Sequence, residues 1–248
     1  MSANKNAPLP VHLITPEWPA PAHVRAFMTT RQGGVSQAPF ASLNLGDHVN
    51  DAPAAVAKNR AIVRAWLPAE PKWLTQVHGT AVAEGGGCKA DASVSRSVDE
   101  VSVIMTADCL PVLFCDQAGT VVAAAHAGWR GLCDGVLERT VEAMNVAPGE
   151  ILAWLGAAIG PTQFEVGAEV RAGFMTQDPA AEAAFVAGEH AGKWLADIYQ
   201  LARQRLAAAG VTQVYGGGLC TVSDSARFFS YRRDQQTGRM AALIWIEG

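Results

Sequence analysis

His78, Cys109 and His126 together form a set of side chains suited to binding a transition metal. Each lies in a short segment rich in glycine or other small residues, and the last two border strand-like apolar runs. Two imidazoles and one thiolate form a ligand set that suits Zn²⁺ and leaves a fourth tetrahedral position open. A catalytic zinc requires an open position for water or substrate. Because the three are far apart in sequence, two core histidines and a buried free cysteine are an equally good interpretation of the residue types alone.

A predicted β-hairpin would bring two of these residues together. The apolar runs 110–115 and 120–126 flank the loop 116–119, which contains aspartate and glycine, a pattern typical of a hairpin. If the two ends of this loop pair with each other, Cys109 lies directly opposite His126, with Cβ atoms about 5 Å apart. A three-residue loop with a glycine bulge would shift this register by one position. The third residue, His78, must arrive from elsewhere in the fold.

The composition narrows the class of protein. A length of 248 residues allows one large domain or two small ones, and 50% hydrophobic residues can form a sizeable core. Only 17% of the residues are charged and the net charge is −4, so the basic surface that nucleic-acid binding requires is lacking. No apolar run reaches the roughly 18 residues of a membrane span. A small-molecule substrate therefore fits better than a nucleic acid or a membrane.

The sequence predicts a cytoplasmic protein with one main domain. The N-terminus MSANKNAPLP lacks the apolar stretch of a signal peptide. Five cysteines form an odd number without CxxC spacing, which favours a reduced compartment over a disulfide scaffold. Residues 1–22 are proline-rich and are interpreted as an N-terminal extension. No linker divides the remainder, so residues 23–248 are interpreted as a single domain. No feature of the sequence indicates an oligomeric state.

A predicted helix at 51–67 carries an arginine on its apolar face. Val56, Val63 and Leu67 fall on one side of this helix, and Arg60 lies on the same side. An arginine within a core-facing stripe needs a carboxylate, backbone carbonyls or an anion as its partner. A buried pair with an acidic residue and a contact with phosphate or substrate oxygen both remain open.

The remaining elements predict an α/β (α+β) fold with mixed sheets packed with helices. Strands are predicted at 24–29, 101–105, 110–115, 120–126, 151–159 and 211–216, and helices at 132–146, 166–175 and 193–209. The segments 228–232 and 240–246 are predicted to form a terminal hairpin. Because the pattern includes hairpins and no GxGxxG segment, it favours mixed sheets over a doubly wound dinucleotide-binding fold.

Several short segments together resemble one known family. They are Ser42-Leu43-Asn44-Leu45-Gly46 with His48, Asn59-Arg60, Gln76-Val77-His78-Gly79, Thr106-Ala107-Asp108-Cys109-Leu110-Pro111-Val112, Ala125-His126-Ala127-Gly128-Trp129-Arg130-Gly131, Ile159-Gly160-Pro161, Phe164-Glu165-Val166-Gly167, Cys220-Thr221 and Phe228-Phe229-Ser230-Tyr231-Arg232-Arg233. In this order, over about residues 25–245, they resemble the family long called multicopper polyphenol oxidoreductases or laccase-like proteins. Its members are now described as purine nucleoside phosphorylases, and the bacterial branch also as peptidoglycan editing factors.

The resemblance implies a fold and a ligand set. The family fold is similar to the catalytic domain of cytotoxic necrotizing factor toxins. The family's zinc ligands correspond to His78, Cys109 and His126, the set selected above on chemical grounds. Asp108 is a candidate for orienting a ligand from outside the coordination shell, because metal-bound histidines usually donate a hydrogen bond to such a partner.

The resemblance also implies action on purine nucleosides. The implied reactions are phosphorolysis of adenosine, inosine, guanosine and methylthioadenosine, and deamination of adenosine. Arg60, Arg130 and Arg232 are candidate phosphate anchors. Asn44 is a candidate for reading ribose or base edges, and Phe229 for stacking on the purine. The structural alternatives are a turn role for Asn44, a core position for Phe229, and surface ion pairs for Arg130 and Arg232.

Other functions remain to be separated from this one. The likeness to a cysteine hydrolase leaves Cys109 as either a zinc ligand or a nucleophile, the latter in a cytoplasmic hydrolase that edits peptidoglycan precursors. A binding protein without turnover fits an open metal position poorly. A multicopper oxidase needs a blue-copper site and a histidine-rich trinuclear centre. With six histidines and no His-x-His pair, the chain does not fit laccase activity, and zinc is favoured over copper.

Overall fold

The computed structural model describes residues 12–248, so residues 1–11 of the predicted N-terminal extension lie outside the described part. The strands are β1 (Val24–Met28), β2 (Val82–Ala83), β3 (Ala92–Ser95), β4 (Ser102–Thr106), β5 (Leu110–Asp116), β6 (Val122–Ala127), β7 (Ile151–Leu155), β8 (Glu165–Gly167), β9 (Phe185–Ala187), β10 (Lys193–Ala196), β11 (Gln213–Gly216) and β12 (Met240–Ile246). The helices are α1 (Pro53–Arg64), α2 (Trp129–Asp134), α3 (Val136–Met144), α4 (Ala168–Gln177), α5 (Ile198–Ala208) and α6 (Tyr231–Asp234). None of these helices is long and apolar enough to cross a lipid bilayer.

Two β-sheets form the centre of the fold. One contains three antiparallel strands in the order β1-β12-β4. The other contains six strands in the order β11-β7-β5-β6-β3-β2, parallel at its two edges and antiparallel in its middle. Strands β8, β10 and β9 form a small separate antiparallel sheet. The prediction of mixed sheets packed with helices is confirmed.

The two central sheets pack face to face between helices. Since successive side chains of a strand point to opposite faces, β5 contributes to two different cores. Its Leu113 and Cys115 pack towards the three-stranded sheet, whereas Val112 and Phe114 pack towards α3, α4 and α5. The outer face of the three-stranded sheet packs against α1 through residues such as Val63. Both faces of the central strands are therefore buried, which explains their continuous apolar sequences.

Two predicted helices have different boundaries in the structure. The predicted helix 132–146 is divided into α2 and α3, because Gly135 adopts a φ of 102° between them. The predicted helix 193–209 contains β10 followed by α5. The break falls at Asp197, whose carboxylate accepts hydrogen bonds from the backbone amides of Tyr199 and Gln200 and so caps the start of α5.

The predicted hairpins differ in outcome. The terminal hairpin is wrong, because β12 lies between β1 and β4 and part of the other segment forms α6. The central hairpin of β5 and β6 is present, but Pro111 rather than Cys109 lies opposite His126. The reason is the side chain of Asp116, which accepts hydrogen bonds from the Thr120 amide at 2.7 Å and its hydroxyl at 2.7 Å. These bonds extend the loop to Thr120, and Cys109 consequently precedes the paired part of β5.

Candidate metal centre

His78, Cys109 and His126 meet at the end of the β5–β6 hairpin that lies opposite its loop. The ligating atoms of the three side chains all lie within 4.8 Å of one another, and Cys109 Sγ is 3.9 Å from His78 Nε2. Cys109 belongs to the turn before β5, His126 to β6, and His78 to an exposed loop before β2. A single ion could bridge these separations after small side-chain adjustments, because zinc–ligand bonds are about 2.0–2.3 Å long.

A buried carboxylate, Asp91, connects the segments that carry the two histidines. Its Oδ1 accepts hydrogen bonds from Nδ1 of His126 at 2.8 Å and from the amide of His78 at 2.9 Å. Its Oδ2 accepts from the amides of Val77 at 3.1 Å and Gly79 at 2.8 Å. With Nδ1 of His126 donating to Asp91, Nε2 is the ring atom that would bind a metal ion, after release of its proton. The hydrogen bonds from these backbone amides also hold His78 at a φ of 61°, a conformation uncommon for residues other than glycine.

The electrostatics of the cluster favour a deprotonated sulfur. Burial by itself would raise the pKa of Cys109, but the positive charge of His126 and hydrogen bonds with both imidazoles lower it to about 6. Burial would likewise lower the pKa of His126, but Cys109 and the hydrogen bond to Asp91 raise it to about 9. Burial opposes ionisation of Asp91, and the bonds from His126 and the loop amides still hold its pKa below the usual value. A thiolate is the form of cysteine that binds metals.

Gly128, at the start of α2, has no side chain, and the side chains of the cluster occupy the space beside it. A Cβ atom at this position would lie 3.0 Å from Cys109 Sγ, 3.0 Å from a ring carbon of His78 and 3.7 Å from a ring carbon of His126. Any side chain here would therefore displace ligand atoms. This close approach gives a physical reason for a glycine two residues after His126.

Two clefts adjoin the cluster and share His78 and Cys109 in their walls. The larger has a volume of about 780 Å³ and is lined partly by Arg60 and Arg239, so we call it the arginine cleft. The smaller has a volume of about 220 Å³. We call it the aromatic cleft, because its walls include Trp129, Phe164, Ile159, Ile198 and Tyr231. Tyr231 lines both clefts and is 54% exposed.

Arg60 lies in the wall of the arginine cleft and already has partners within the protein. Its Nε donates to the carbonyl oxygen of Leu45 at 3.0 Å, and its Nη2 lies 3.2 Å from Oδ2 of Asp47. Its guanidinium also lies over the ring of Trp73, 4.2 Å from the ring centroid. The expected carboxylate partner is therefore present, and the side chain, 21% exposed, still faces the cleft.

Arg130 and Arg232 line the aromatic cleft, and both are exposed. The guanidinium of Arg130 lies 5.0 Å from the ring centroid of its neighbour Trp129. Nη1 of Arg232 donates to the carbonyl oxygen of Glu165 at 3.0 Å. Neither arginine is part of an ion pair among residues 12–248. The alternative of surface ion pairs is therefore wrong for both.

Asn44 and Phe229 do not reach either cleft, and both are fully buried. The side chain of Asn44 donates to the Gly46 carbonyl at 3.1 Å and to Asp51 at 2.9 Å, and it accepts from the Arg239 amide at 2.9 Å. Phe229 packs in the core between the two central sheets. The predicted contacts of these two residues with ribose and purine do not fit this geometry, because neither side chain faces the space where a substrate would lie.

Asp108 lines the aromatic cleft, but its carboxylate does not bond to a histidine of the cluster. It accepts hydrogen bonds from the hydroxyl of Thr221 at 2.6 Å and from the amide of Arg232 at 2.7 Å. The carboxylate that orients His126 is Asp91 instead. Asp108 thus connects the Cys109 turn to α6 and so fixes the segment that carries Tyr231.

Three residues of the site are not identified by the sequence patterns: Asp91, Tyr231 and Arg239. The available signal for Asp91 is a lone carboxylate within the run of small residues 90–93. Tyr231 stands two positions after Phe229 in the same family segment, and the sequence does not indicate which aromatic residue faces solvent. Arg239 follows a glycine before β12 and matches no local pattern. Burial opposes its charge and lowers its pKa, whereas the nearby charges of Cys109 and Asp108 raise it.

The fold and the cluster define a class of protein that comparisons identify directly. The model of the family described as multi-copper polyphenol oxidoreductase laccase matches residues 25–247. The chain belongs to this family. A Pseudomonas aeruginosa protein named purine nucleoside phosphorylase is 58% identical over 94% of this chain and 98% of its own length. The purine nucleoside phosphorylase YfiH of Escherichia coli is 57% identical over 94% of this chain and 98% of its own length.

Solved structures show the same fold. A Neisseria meningitidis protein shares 54% identity and a TM-score of 0.91, covering 96% of this chain and all of its own. The protein YlmD of Geobacillus stearothermophilus shares 30% identity and a TM-score of 0.85, covering 92% of this chain and 93% of its own. In residues 12–248, His78, Cys109 and His126 form the single group of three or more potential metal ligands. That part of the chain therefore lacks the histidine-rich trinuclear centre that the laccase name implies.

Proposed function

We propose that the chain is a zinc-dependent purine nucleoside phosphorylase that also deaminates adenosine and cleaves methylthioadenosine. The observation that carries this proposal is the His78–Cys109–His126 cluster between two clefts of different chemistry. The names of relatives with 57–58% identity support the phosphorylase activity.

The residues of the cluster fit zinc, which is the metal of this proposal. Two imidazoles and a thiolate leave one tetrahedral position open, which is the arrangement of a catalytic zinc site. Asp91 bonds to Nδ1 of His126 and so leaves Nε2 as the ring atom for the metal, and the lowered pKa of Cys109 supplies the thiolate. When bound there, Zn²⁺ would supply Lewis acidity and lower the pKa of water towards ~7.

Two balanced reactions fit this site. In phosphorolysis, an oxygen of HPO₄²⁻ forms a bond to C1′ of the ribose while the C1′–N9 bond breaks. The electron pair of that bond goes to the purine, which takes up the proton that the phosphate carried. In deamination, water replaces the 6-amino group of adenosine, and ammonia leaves. The chain contributes by holding the reactants next to each other and by stabilising the charge of the phosphate.

The aromatic cleft suits the purine. Trp129, Phe164 and Tyr231 offer aromatic surface, and the exposed ring of Tyr231 is available to stack on a base. Arg130 and Arg232, at the same cleft, are placed to bond to polar atoms of the nucleoside. Arg60 lies in the arginine cleft, where a guanidinium can anchor an anion.

An assay of the purified protein with adenosine, with and without phosphate, tests the proposal. With phosphate we expect adenine and ribose 1-phosphate, and without phosphate we expect inosine and ammonia. Removal of zinc with a chelator should stop both reactions, and added zinc should restore them. Product formation that is unchanged after complete metal removal, or the absence of both products from zinc-loaded protein, would refute the proposal.

A cysteine hydrolase acting on peptidoglycan precursors is the second candidate. The observation that favours it is the proximity of Cys109 and His126, whose ligand atoms lie within 4.8 Å, in surroundings that lower the pKa of the thiol and raise that of the imidazole. Metal content separates the two functions, because a hydrolase of this kind should work without zinc and trap a covalent adduct on Cys109. We place either activity in the cytoplasm, since the five cysteines are all free.

A further inference from the structure

Arg239 is a half-buried cation that the charges of Cys109 and Asp108 stabilise only from a distance, without a direct ion pair within residues 12–248. Its Nη1 donates to the carbonyl oxygens of Thr237 at 3.1 Å and Gly238 at 3.0 Å. Within residues 12–248 it takes part in no ion pair. The side chain lines the arginine cleft together with Cys109 and His126. A guanidinium removed from water in this way is stabilised by an anion.

The segment 44–46 holds Arg239 and Arg60 in one frame. The side-chain oxygen of Asn44 accepts a hydrogen bond from the Arg239 amide at 2.9 Å, and the Leu45 amide donates one to the Arg239 carbonyl at 3.1 Å. The Leu45 carbonyl accepts from Nε of Arg60 at 3.0 Å. At Gly46, a Cβ atom would lie only 2.8 Å from Cγ of Arg239. The buried Asn44 and the glycine thus serve to fix the arginines in the cleft wall.

Arg60 adds a second guanidinium with unused hydrogen-bonding capacity. Its Nη2 lies 3.2 Å from Asp47, but without hydrogen-bond geometry, and this buried nitrogen has no acceptor in the described part of the chain. The ring of Trp73 covers one face of the guanidinium. The Asp47 carboxylate is itself 63% exposed, so it compensates the charge of Arg60 only in part.

The two arginines of the aromatic cleft are less suited to holding a small anion. Arg130 and Arg232 are exposed to solvent, where water and salt screen their charges. Arg232 also donates to a backbone carbonyl, that of Glu165, but Arg239 and Arg60 combine such bonds with greater burial. Fixed, partly dehydrated cations bind an anion at a lower entropic cost than mobile surface side chains do.

We propose that Arg239 and Arg60 form the subsite for inorganic phosphate in the arginine cleft. This inference rests on the proposed phosphorylase function and identifies where its co-substrate binds. Phosphate bound there would lie next to Cys109 and His126, which line the same cleft. Its oxygens would then face the ribose of a nucleoside whose base occupies the aromatic cleft.

Calorimetric titration of the zinc-loaded full chain with inorganic phosphate tests the subsite. Arg239→Met should raise the Kd for phosphate roughly 10- to 100-fold, the range expected when a hydrogen bond to a charged group is lost. Arg239→Lys should recover part of the affinity, because the charge remains and the planar fork is lost. Gly46→Ala should weaken phosphate binding without removing any charge, because the new methyl group displaces the Arg239 side chain.

The matched control is Arg203→Met. Arg203 also donates to two backbone carbonyls, those of Val214 at 2.9 Å and Gly216 at 2.8 Å, but it lies on the exposed surface of α5. We expect the Kd of the Arg203→Met variant for phosphate to stay within about twofold of the Kd of the original protein. Adenosine binding without phosphate should be unchanged in Arg239→Met, which also shows that the variant is folded. If Arg239→Met does not fold, Arg239→Lys and Gly46→Ala decide the question.

The outcomes separate the subsite from the proposed function. Phosphate binding that depends on Arg239 in a protein without phosphorolysis would support the subsite and reject the function. Phosphorolysis with an unchanged phosphate Kd and KM in Arg239→Met and Gly46→Ala would overturn the subsite. A gain in affinity for adenosine 5′-monophosphate over adenosine that depends on Arg239 would also overturn it, because the cleft would then hold a phosphate ester. Absence of phosphate binding to the original protein would have the same consequence.

Discussion

Replacement of Asp91 by asparagine tests how the cluster is held together. Asp91 accepts four hydrogen bonds through two charged oxygens. Asparagine has the same shape, but its single oxygen can keep only the two bonds on one side. Its NH₂ group would then face donors on the other side, either the amides of Val77 and Gly79 or the amide of His78 and the ring Nδ1 of His126.

The expected effects follow from the bonds that are lost. A hydrogen bond to a charged group contributes roughly 1.5–3 kcal/mol. Because Val77 is exposed and Gly79 is half-buried, water can replace the bonds to their amides, so the loss should lie near the lower limit for two bonds, about 3 kcal/mol. Loss of the carboxylate that orients a ligand should also weaken zinc binding about 10- to 100-fold.

Urea unfolding of the metal-free protein and zinc competition with a chelator measure these two effects. Asp116→Asn is the matched control, because Asp116 is also buried and accepts from Thr120 and Val121 in the β5–β6 loop, far from the cluster. The control should lose stability and keep its zinc affinity. An Asp91→Asn protein with unchanged zinc affinity would refute the role of Asp91 in holding the cluster, whatever its stability.

Three other changes test the cluster and its clefts. Cys109→Ser should lower zinc affinity and turnover together, since a hydroxyl is far less acidic than a thiol; zinc retained in an inactive variant would indicate a nucleophile instead. In the metal-free protein, alkylation of Cys109 should increase as the pH rises through about 6, where the thiolate forms, and zinc should suppress it; a midpoint near the ordinary thiol pKa would contradict this. Tyr231→Ala should raise the KM for adenosine roughly tenfold by removing a stacking surface, whereas Tyr231→Phe should not, and an equal KM in all three proteins would exclude stacking.

The sequence by itself determines the chemistry of the cluster and the local elements around it. Two histidines and a cysteine in small-residue segments are ligand types that suit a transition metal, because ligand type depends on side-chain chemistry and not on the fold. The β5–β6 hairpin is predictable, because apolar runs around a short polar loop are a local signal. Its register is not, because the Asp116 side chain extends the loop through hydrogen bonds that the apolar pattern does not encode.

Only the tertiary structure decides which side chains support the cluster and which face the clefts. Asp91 reaches His126 because β3 and β6 are neighbours in one sheet. Asn44 and Arg239 come together although nearly the whole chain separates them. Phe229 is buried and Tyr231 exposed because α6 begins between them. Spacing along a chain determines which face of an element a residue occupies, whereas contacts between distant segments depend on how sheets and helices pack.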